Sequence, residues 1–148
     1  MTIFLDIDGV LVPAAHWKKP ELLEDGFPTF KREAIHALQT IIDLNTRVIL
    51  TTSHRHSYTI EQWQSIFARR GLNFNYIDVV KSKVTKKNIA IESWFAENAK
   101  PETFIIIDDD TMLYALPQYL KDHLIVTSPL IGLTLELLND YYRHNVKA

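Results

Sequence analysis

The first twelve residues of the chain read MTIFLDIDGVLV, an apolar run that contains two closely spaced carboxylates. Residues 3–5 predict a short buried strand that ends at Asp6. Because side chains two apart along an extended chain point to the same side, we expect Asp6 and Asp8 to converge beyond the strand end. Two carboxylates that close are unfavourable unless a cation lies between them or one is protonated. Gly9 permits a sharp turn there, so the segment predicts a ligand site at the mouth of a sheet.

Two simpler interpretations of this segment exist. An Asp at a strand end is often a turn former, and Asp-x-Asp-Gly also occurs in calcium loops. A calcium loop, however, lies between helices, continues with further oxygen ligands and closes with a Glu. Here an apolar strand precedes the two carboxylates and apolar residues follow Gly9. The surroundings therefore favour a site at a strand end.

The composition is that of an ordinary globular protein. A length of 148 residues predicts a single domain, residues 1–148, and 47% hydrophobic with 23% charged residues suits one packed core. The net charge of −2 gives no general attraction to nucleic acid or to membranes. The chain has no cysteine, which excludes disulfides, thiolate metal sites and a cysteine nucleophile. No sequence feature specifies an oligomeric state.

We expect a cytoplasmic protein. Asp6 and Asp8 lie where a signal peptide would be apolar, and the amino terminus lacks a basic start. No apolar run approaches the length of a membrane span.

Strand and helix patterns alternate along the chain. Apolar spacing predicts helices over residues 29–44, 59–70 and 85–98, a short helix over 112–119 broken at Pro117, and a last helix after Pro129. Apolar and β-branched runs predict further strands over residues 47–52, 74–80, 104–107 and 124–127. This alternation indicates an α/β fold, a three-layer α/β/α arrangement with a mainly parallel, five-stranded, Rossmann-like sheet.

Polar groups follow several of the predicted strands. Thr51 and Thr52 end the second, and three aspartates, residues 108–110, follow the fourth. The hydroxyls also suit a helix cap, and the lysine-rich residues 81–88 suit a solvated face or a patch for a polyanion. Three carboxylates after a buried strand, however, favour a hard cation. Parallel strands end at one edge, so these groups meet Asp6 there. Acidic ligands, a hydroxyl and a lysine are what phosphoryl transfer through a carboxylate requires.

With these motifs in order, the sequence resembles the haloacid dehalogenase-like (HAD) hydrolase superfamily. The segments FLDIDGVLVP, VILTTSHR and FIIIDDD are most similar to its small, nearly capless branch, which includes domains associated with RNA-repair proteins. The resemblance implies a HAD-like fold with a minimal cap. It also implies a magnesium-dependent phosphomonoester hydrolase that works through an aspartyl-phosphate.

The resemblance also implies roles for individual residues. Asp6 matches the nucleophile, a carboxylate that we expect to be ionised at neutral pH and to need no activating base. Asp8 matches the general acid and base. Magnesium would be held by Asp6, by the backbone carbonyl of Asp8 and by Asp108, with Asp109 or Asp110 binding directly or through water.

Two assignments remain open between neighbours. The hydroxyl is Thr51 by the register of the strand, with Thr52 the alternative, because a shift of one residue reverses the face. The lysine is Lys87 if Lys87-Asn88-Ile89-Ala90-Ile91 matches the family's helix start. The other lysines that remain candidates are Lys81, Lys83 and Lys86.

The expected substrate follows from the short loop after the first motif. It is too short for a large lid, so we expect an open site. The phosphorylated substrate can then be large, such as a nucleic-acid end, a phosphoprotein or a partner domain, and a nucleotide phosphate is also possible. The candidates for contacting it are His16 and Trp17 in that loop, and His54 and Arg55 after the second strand. For each of them a surface role is the alternative.

Two other functions agree less well with the motifs. A signalling receiver domain has its phosphoacceptor Asp at the end of the third strand, where this chain has only Asp78. A catalytically weak HAD-like binding or regulatory module is the second alternative, although every motif position is filled.

Overall fold

A computed structural model describes residues 1–14 and 19–145 of the chain. Its strands form one parallel sheet in the order β3-β2-β1-β4-β5. They are β1 Thr2–Leu5, β2 Arg47–Leu50, β3 Tyr76–Val79, β4 Phe104–Asp108 and β5 Leu124–Val126. The parallel five-stranded sheet predicted from the sequence is confirmed, with strand ends that differ by one or two residues from the predicted ones.

The register of the sheet aligns the strand ends that carry the polar residues. Leu5 of β1 pairs with Leu50 of β2 on one side and with Ile107 of β4 on the other. Asp6, Thr51 and Asp108, each the next residue along the chain, therefore lie side by side at the carboxyl edge. This alignment follows from pairing alone, before any side chain is considered.

Helices cover both faces of the sheet. They are α1 Arg32–Gln39, α2 Ile60–Arg69, α3 Lys87–Glu97, α4 Gln118–Lys121 and α5 Leu135–Asn145, with a 3-10 helix over Thr111–Ala115. Ile3 and Leu5 belong to a core layer shared with α1, α2 and α5. Phe4, which points to the other face, belongs to a second layer shared with α3, α4 and the 3-10 helix. The three-layer arrangement is confirmed.

The helix predicted over residues 29–44 is shorter than expected. It spans Arg32–Gln39, and the hydroxyl of Thr40 then donates to the carbonyl of Ala37 at 2.6 Å. The carboxylate of Asp43 accepts the backbone N–H of Asn45 at 2.8 Å, a local turn that competes with continued helix. The apolar spacing beyond residue 40 therefore reflects turn residues that pack on the core.

The helix predicted over residues 85–98 begins two residues later than expected. Helix α3 begins at Lys87, with Lys86 at the cap position and no side-chain hydrogen bond there. The preceding segment is held by buried Arg55, whose guanidinium donates to the carbonyl oxygens of Val80 at 2.9 Å and of Ser82. The chain reaches helical geometry only after this anchored segment.

A short hairpin lies between β1 and α1. Residues 21–29, called here the 21–29 hairpin, are joined by a bridge between Leu22 and Pro28. Arg70, at the end of α2, donates to the carbonyl of Pro28 at 3.0 Å and to both carboxylate oxygens of Asp25 at 2.7 and 2.9 Å. A buried guanidinium with a bidentate partner fixes this hairpin against α2.

In residues 1–14 and 19–145, no helix combines the length and apolarity that a membrane crossing needs.

Candidate active site

The carboxyl edge of the sheet gathers a cluster of carboxylates. Oxygen atoms of Asp6, Asp108 and Asp109 lie within 4.8 Å of one another. Asp6 follows β1 and is 2% exposed, and Asp108 ends β4 and is 0% exposed. The acidic groups of the amino-terminal motif and of residues 108–110 thus meet at one place.

Lys87 provides the positive charge beside these carboxylates. Its Nζ lies 2.7 Å from Oδ2 of Asp6 and 2.9 Å from Oδ2 of Asp108. Lys87 is the first residue of α3, so the helix start aims its side chain at the strand ends. The three other candidate lysines, Lys81, Lys83 and Lys86, are exposed.

The two candidate hydroxyls point to different partners. Thr51 donates to Oδ2 of Asp108 at 3.3 Å, and it is buried. The hydroxyl oxygen of Thr52 accepts the backbone N–H of His54 at 3.3 Å, so it closes the turn that follows β2. The structure therefore brings Thr51, and not Thr52, to the acidic cluster.

Burial governs the charge state of the cluster. Burial first, and then the charge of Asp108, raise the pKa of Asp6 to about 8, with Lys87 opposing this rise. Burial likewise raises the pKa of Asp108, again against Lys87. Burial alone would lower the pKa of Lys87, but the carboxylates of Asp108 and Asp6 outweigh it and the net effect raises that pKa. The positive charge of Lys87 is therefore not enough to compensate the negative charges of Asp6 and Asp108.

Burial therefore opposes the ionisation of Asp6 that we expect at neutral pH. Desolvation favours its neutral form, and the single ammonium of Lys87 does not overcome that effect. A divalent cation beside Asp6 would favour the carboxylate. Three converging carboxylates, two of them buried, are also the hard oxygen donors that magnesium takes. The donor set therefore fits magnesium, with Asp6, Asp108 and Asp109 supplying side-chain oxygens.

Asp8 and Asp110 lie apart from this cluster. The side chain of Asp8 is 57% exposed, and its Oδ2 lies 2.8 Å from Nε2 of His54. The backbone N–H of Asp110 donates to Oδ1 of Asp108 at 3.0 Å, and its carboxylate caps the 3-10 helix through Met112. Asp110 therefore orients Asp108 and starts the next helix, while the carboxylate of Asp8 remains accessible.

A cleft of about 550 Å³ opens above these groups. Its lining includes the carboxylates of Asp6, Asp8 and Asp109 together with Lys87. Further polar residues of its wall are Ser53, Asp110, Thr111 and Thr127. In the described chain, residues 51–59 join β2 to α2 without an inserted element, so no lid covers this cleft from there.

Thr127 is a site residue that the sequence analysis missed. Its hydroxyl donates to the carbonyl oxygen of Gly9 at 2.7 Å, and its backbone N–H donates to the carbonyl of Asp108 at 2.9 Å. It is buried beside the cleft. A hydroxyl at the end of a predicted strand was the available signal, the same one that indicated Thr51.

The residues predicted as candidates for contacting substrate lie in different environments. Arg55 is buried and donates to backbone carbonyls, so the expectation that it contacts substrate is wrong. Nε2 of His54 lies 2.8 Å from the carboxylate of Asp8, which lines the cleft. His16 and Trp17 lie outside the described residues.

The parallel sheet and its acidic edge are those of a HAD-type hydrolase. A family model described as the HAD domain in Swiss Army Knife RNA repair proteins matches residues 2–138. The match covers most of the chain, so this chain belongs to that family. The membership makes it a HAD-type hydrolase, of the phosphohydrolase kind at superfamily level, in a superfamily that generally uses magnesium. Comparison with curated proteins and with solved structures gave no match.

Proposed function

We propose that the protein is a magnesium-dependent phosphomonoester hydrolase that works through an aspartyl-phosphate on Asp6. The observation that carries this proposal is the placement of Asp6. Its carboxylate lines an open cleft, lies 2.7 Å from the ammonium of Lys87 and shares a cluster with Asp108 and Asp109. A carboxylate nucleophile so surrounded can approach a phosphoryl group without strong repulsion.

The reaction has two steps. In the first, an oxygen of Asp6 forms a bond to phosphorus, the bond to the leaving oxygen breaks, and Asp8 gives that oxygen a proton. In the second, Asp8 takes a proton from water, the water oxygen bonds to phosphorus, and the bond from Asp6 to phosphorus breaks. Inorganic phosphate leaves, and both carboxyl groups return to their starting states.

The surrounding residues have supporting roles. Lys87 holds the Asp6 carboxylate and faces the transferred group, and the hydroxyl of Thr51 donates at the same edge. Magnesium, held by the side chains of Asp6, Asp108 and Asp109 and by the backbone carbonyl of Asp8, would supply charge neutralisation for the phosphoryl group.

The substrate we propose is a phosphate at the end of an RNA chain. The family's description names RNA repair proteins, and the cleft is open enough for a polymer end. The net charge of −2 offers no general attraction to RNA, so recognition has to be local. Exposed Lys81, Lys83 and Lys86, in the segment before Lys87, are the cations that we propose contact the RNA backbone.

The activity is tested by hydrolysis of 4-nitrophenyl phosphate with and without magnesium. We expect turnover that requires the metal and that Asp6→Asn reduces by at least about a thousandfold. Asp140→Asn, at a half-exposed carboxylate on α5, is the matched control and should leave turnover unchanged. No turnover by the wild-type protein with any phosphate ester or divalent metal would favour a binding module.

The substrate is tested by comparing RNA oligonucleotides with a 3′- or 5′-terminal phosphate and the matching mononucleotides. We expect higher kcat/KM for one of the oligonucleotides. Equal values for oligonucleotide and mononucleotide would contradict an RNA end as the substrate. The whole chain is used, because we propose that residues 1–148 act as one domain.

A further inference from the structure

We propose that His54 is a positioning residue for Asp8, and that the 21–29 hairpin orients the His54 ring through Phe27. The inference rests on the proposed function, in which Asp8 transfers the proton. It assigns to His54 a role that differs from contact with substrate.

The side chains of His54 and Asp8 are in direct contact. Nε2 of His54 lies 2.8 Å from Oδ2 of Asp8. In the described chain this is the one hydrogen bond made by the Asp8 carboxylate. A short side chain with one partner takes the rotamer that the partner selects. Both side chains are about half exposed, 44% for His54 and 57% for Asp8, so the pair adds little stability and its effect is on orientation.

His54 is itself held in place by its neighbours. Its backbone N–H donates to the hydroxyl of Thr52, and its carbonyl accepts the N–H of Ser57 at 2.8 Å. The imidazole meets the ring of Phe27 edge to face, with centroids 5.9 Å apart and planes at 87°. The ring therefore has Asp8 at one nitrogen and an aromatic wall beside it.

The aromatic wall beside His54 is fixed by its own contacts. Phe27 is 3% exposed and packs edge to face against Tyr58 and Trp63. Its carbonyl accepts a hydrogen bond from Arg70 at 2.8 Å, and Arg70 also binds Asp25 with two. The 21–29 hairpin is thus linked to Asp8 through the fixed ring of Phe27 and the imidazole of His54.

This arrangement separates two tasks among the carboxylates. Asp6, Asp108 and Asp109 form the cluster suited to a cation, whereas the Asp8 side chain is turned to His54. A carboxylate held out of the cluster is available for proton transfer, and small displacements of such a group are costly to rate. Without His54, the Asp8 side chain would sample other rotamers, including those that face the cluster.

Kinetics of three variants on 4-nitrophenyl phosphate test the inference. We expect His54→Ala to lower kcat by about 10- to 100-fold with KM nearly unchanged. His54→Gln, whose amide nitrogen can replace Nε2 as donor, should recover most of the loss. His56→Ala, at an exposed histidine of the same turn, is the matched control and should behave as wild type. Phe27→Leu should lower kcat by a smaller factor, because it removes the aromatic contact to the His54 ring and leaves the hydrogen bond between His54 and Asp8.

A structural readout tests the inference without turnover. Crystal structures of the wild type, His54→Ala and His54→Gln should show the Asp8 carboxylate displaced in the alanine variant and restored in the glutamine variant. An unmoved Asp8 in His54→Ala, or wild-type kcat for that variant, would overturn the proposal. These results are distinct from failure of the proposed function, which would appear as no turnover by the wild type, or as turnover that does not depend on Asp6.

Discussion

Nζ of Lys87 lies 2.7 Å from Oδ2 of Asp6, although the two residues belong to different elements far apart in the chain. The lysine opens α3, and the aspartate follows β1. Their contact joins the second core layer to the carboxyl edge of the sheet. The same Nζ lies 2.9 Å from Oδ2 of Asp108, so Lys87 contacts two buried carboxyls.

Lys87→Met tests the importance of that charge. We expect kcat/KM to fall by at least about a hundredfold, because the variant removes the ammonium that faces the phosphoryl group. We also expect a loss of about 3 kcal/mol in the free energy of unfolding at neutral pH, since two buried carboxyls lose their partner. Activity assays and urea unfolding measure these effects. Lys100→Met, at an exposed lysine, is the control, and equal behaviour of the two variants would contradict this role.

Gly9→Ala tests the close approach of Asp109 to the first motif. A Cβ at Gly9 would lie 2.1 Å from Oδ2 and 2.5 Å from Cγ of Asp109, so the carboxylate would have to move. Gly26→Ala is a matched control, since Gly26 has the same φ of 79° but nothing within 4 Å of the added carbon. Both variants should lose about 1–3 kcal/mol of stability through backbone strain. Only Gly9→Ala should also lose metal binding, measured by calorimetry with magnesium; equal magnesium affinities in the two variants would refute the contact.

Thr127→Val tests the link between β5 and the first motif. The variant keeps the shape of the side chain but removes the 2.7 Å hydrogen bond to the carbonyl of Gly9. Since that carbonyl is then unpaired beside the cleft, we expect a loss of about 1–3 kcal/mol in the free energy of unfolding, together with a reduced kcat. Thr127→Ser retains the hydroxyl and should recover both. A serine variant as impaired as the valine variant would show that packing, rather than the hydrogen bond, matters.

Asp25→Asn tests the anchor of the 21–29 hairpin through its pH dependence. Hydrogen bonds from Arg70, more than any other effect, lower the pKa of Asp25 to about 2 from an ordinary value of 3.8. A lowered pKa gives stability that is present above pH 4 and is lost as the pH falls through 2. We expect wild type to exceed Asp25→Asn by about 1–2 kcal/mol at neutral pH, after allowance for partial exposure of the carboxylate.

Unfolding in urea between pH 2 and pH 6 measures the same effect. The difference between wild type and Asp25→Asn should shrink on acidification through this range. A difference that stays constant with pH would mean that the carboxylate charge does not stabilise the hairpin.

Much of the sheet could be predicted because local signals agreed with it. Buried strands such as residues 3–5 and 104–107 are continuous apolar runs, and parallel pairing then forces Asp6 and Asp108 to one edge. The end of α1 could not be predicted, because Ile41 and Ile42 continue the apolar spacing while the turn at Asp43 ends the helix. Ile41 and Ile42 pack on the core from a turn, and their apolar spacing therefore resembled that of a helix.

The details of the site depended on contacts that the sequence does not encode locally. The choice between Thr51 and Thr52 required the register, and that between Lys87 and its neighbours required the start of α3. The pKa of Asp6 depends on how deeply the fold buries it. The contact of Asp8 with His54 joins two loops. The burial of Arg55 depends on a backbone carbonyl of a third segment, at Val80.

The most direct test of the central claim is to trap the phosphorylated carboxylate. In Asp8→Asn, 4-nitrophenyl phosphate can still transfer its phosphoryl group because its leaving group needs no proton, while the water step is slowed. Borohydride reduces an acyl phosphate to an alcohol, so peptide mass spectrometry should find homoserine at position 6, and none in the double variant Asp6→Asn with Asp8→Asn. Phosphate release without any modification at position 6 would contradict the account.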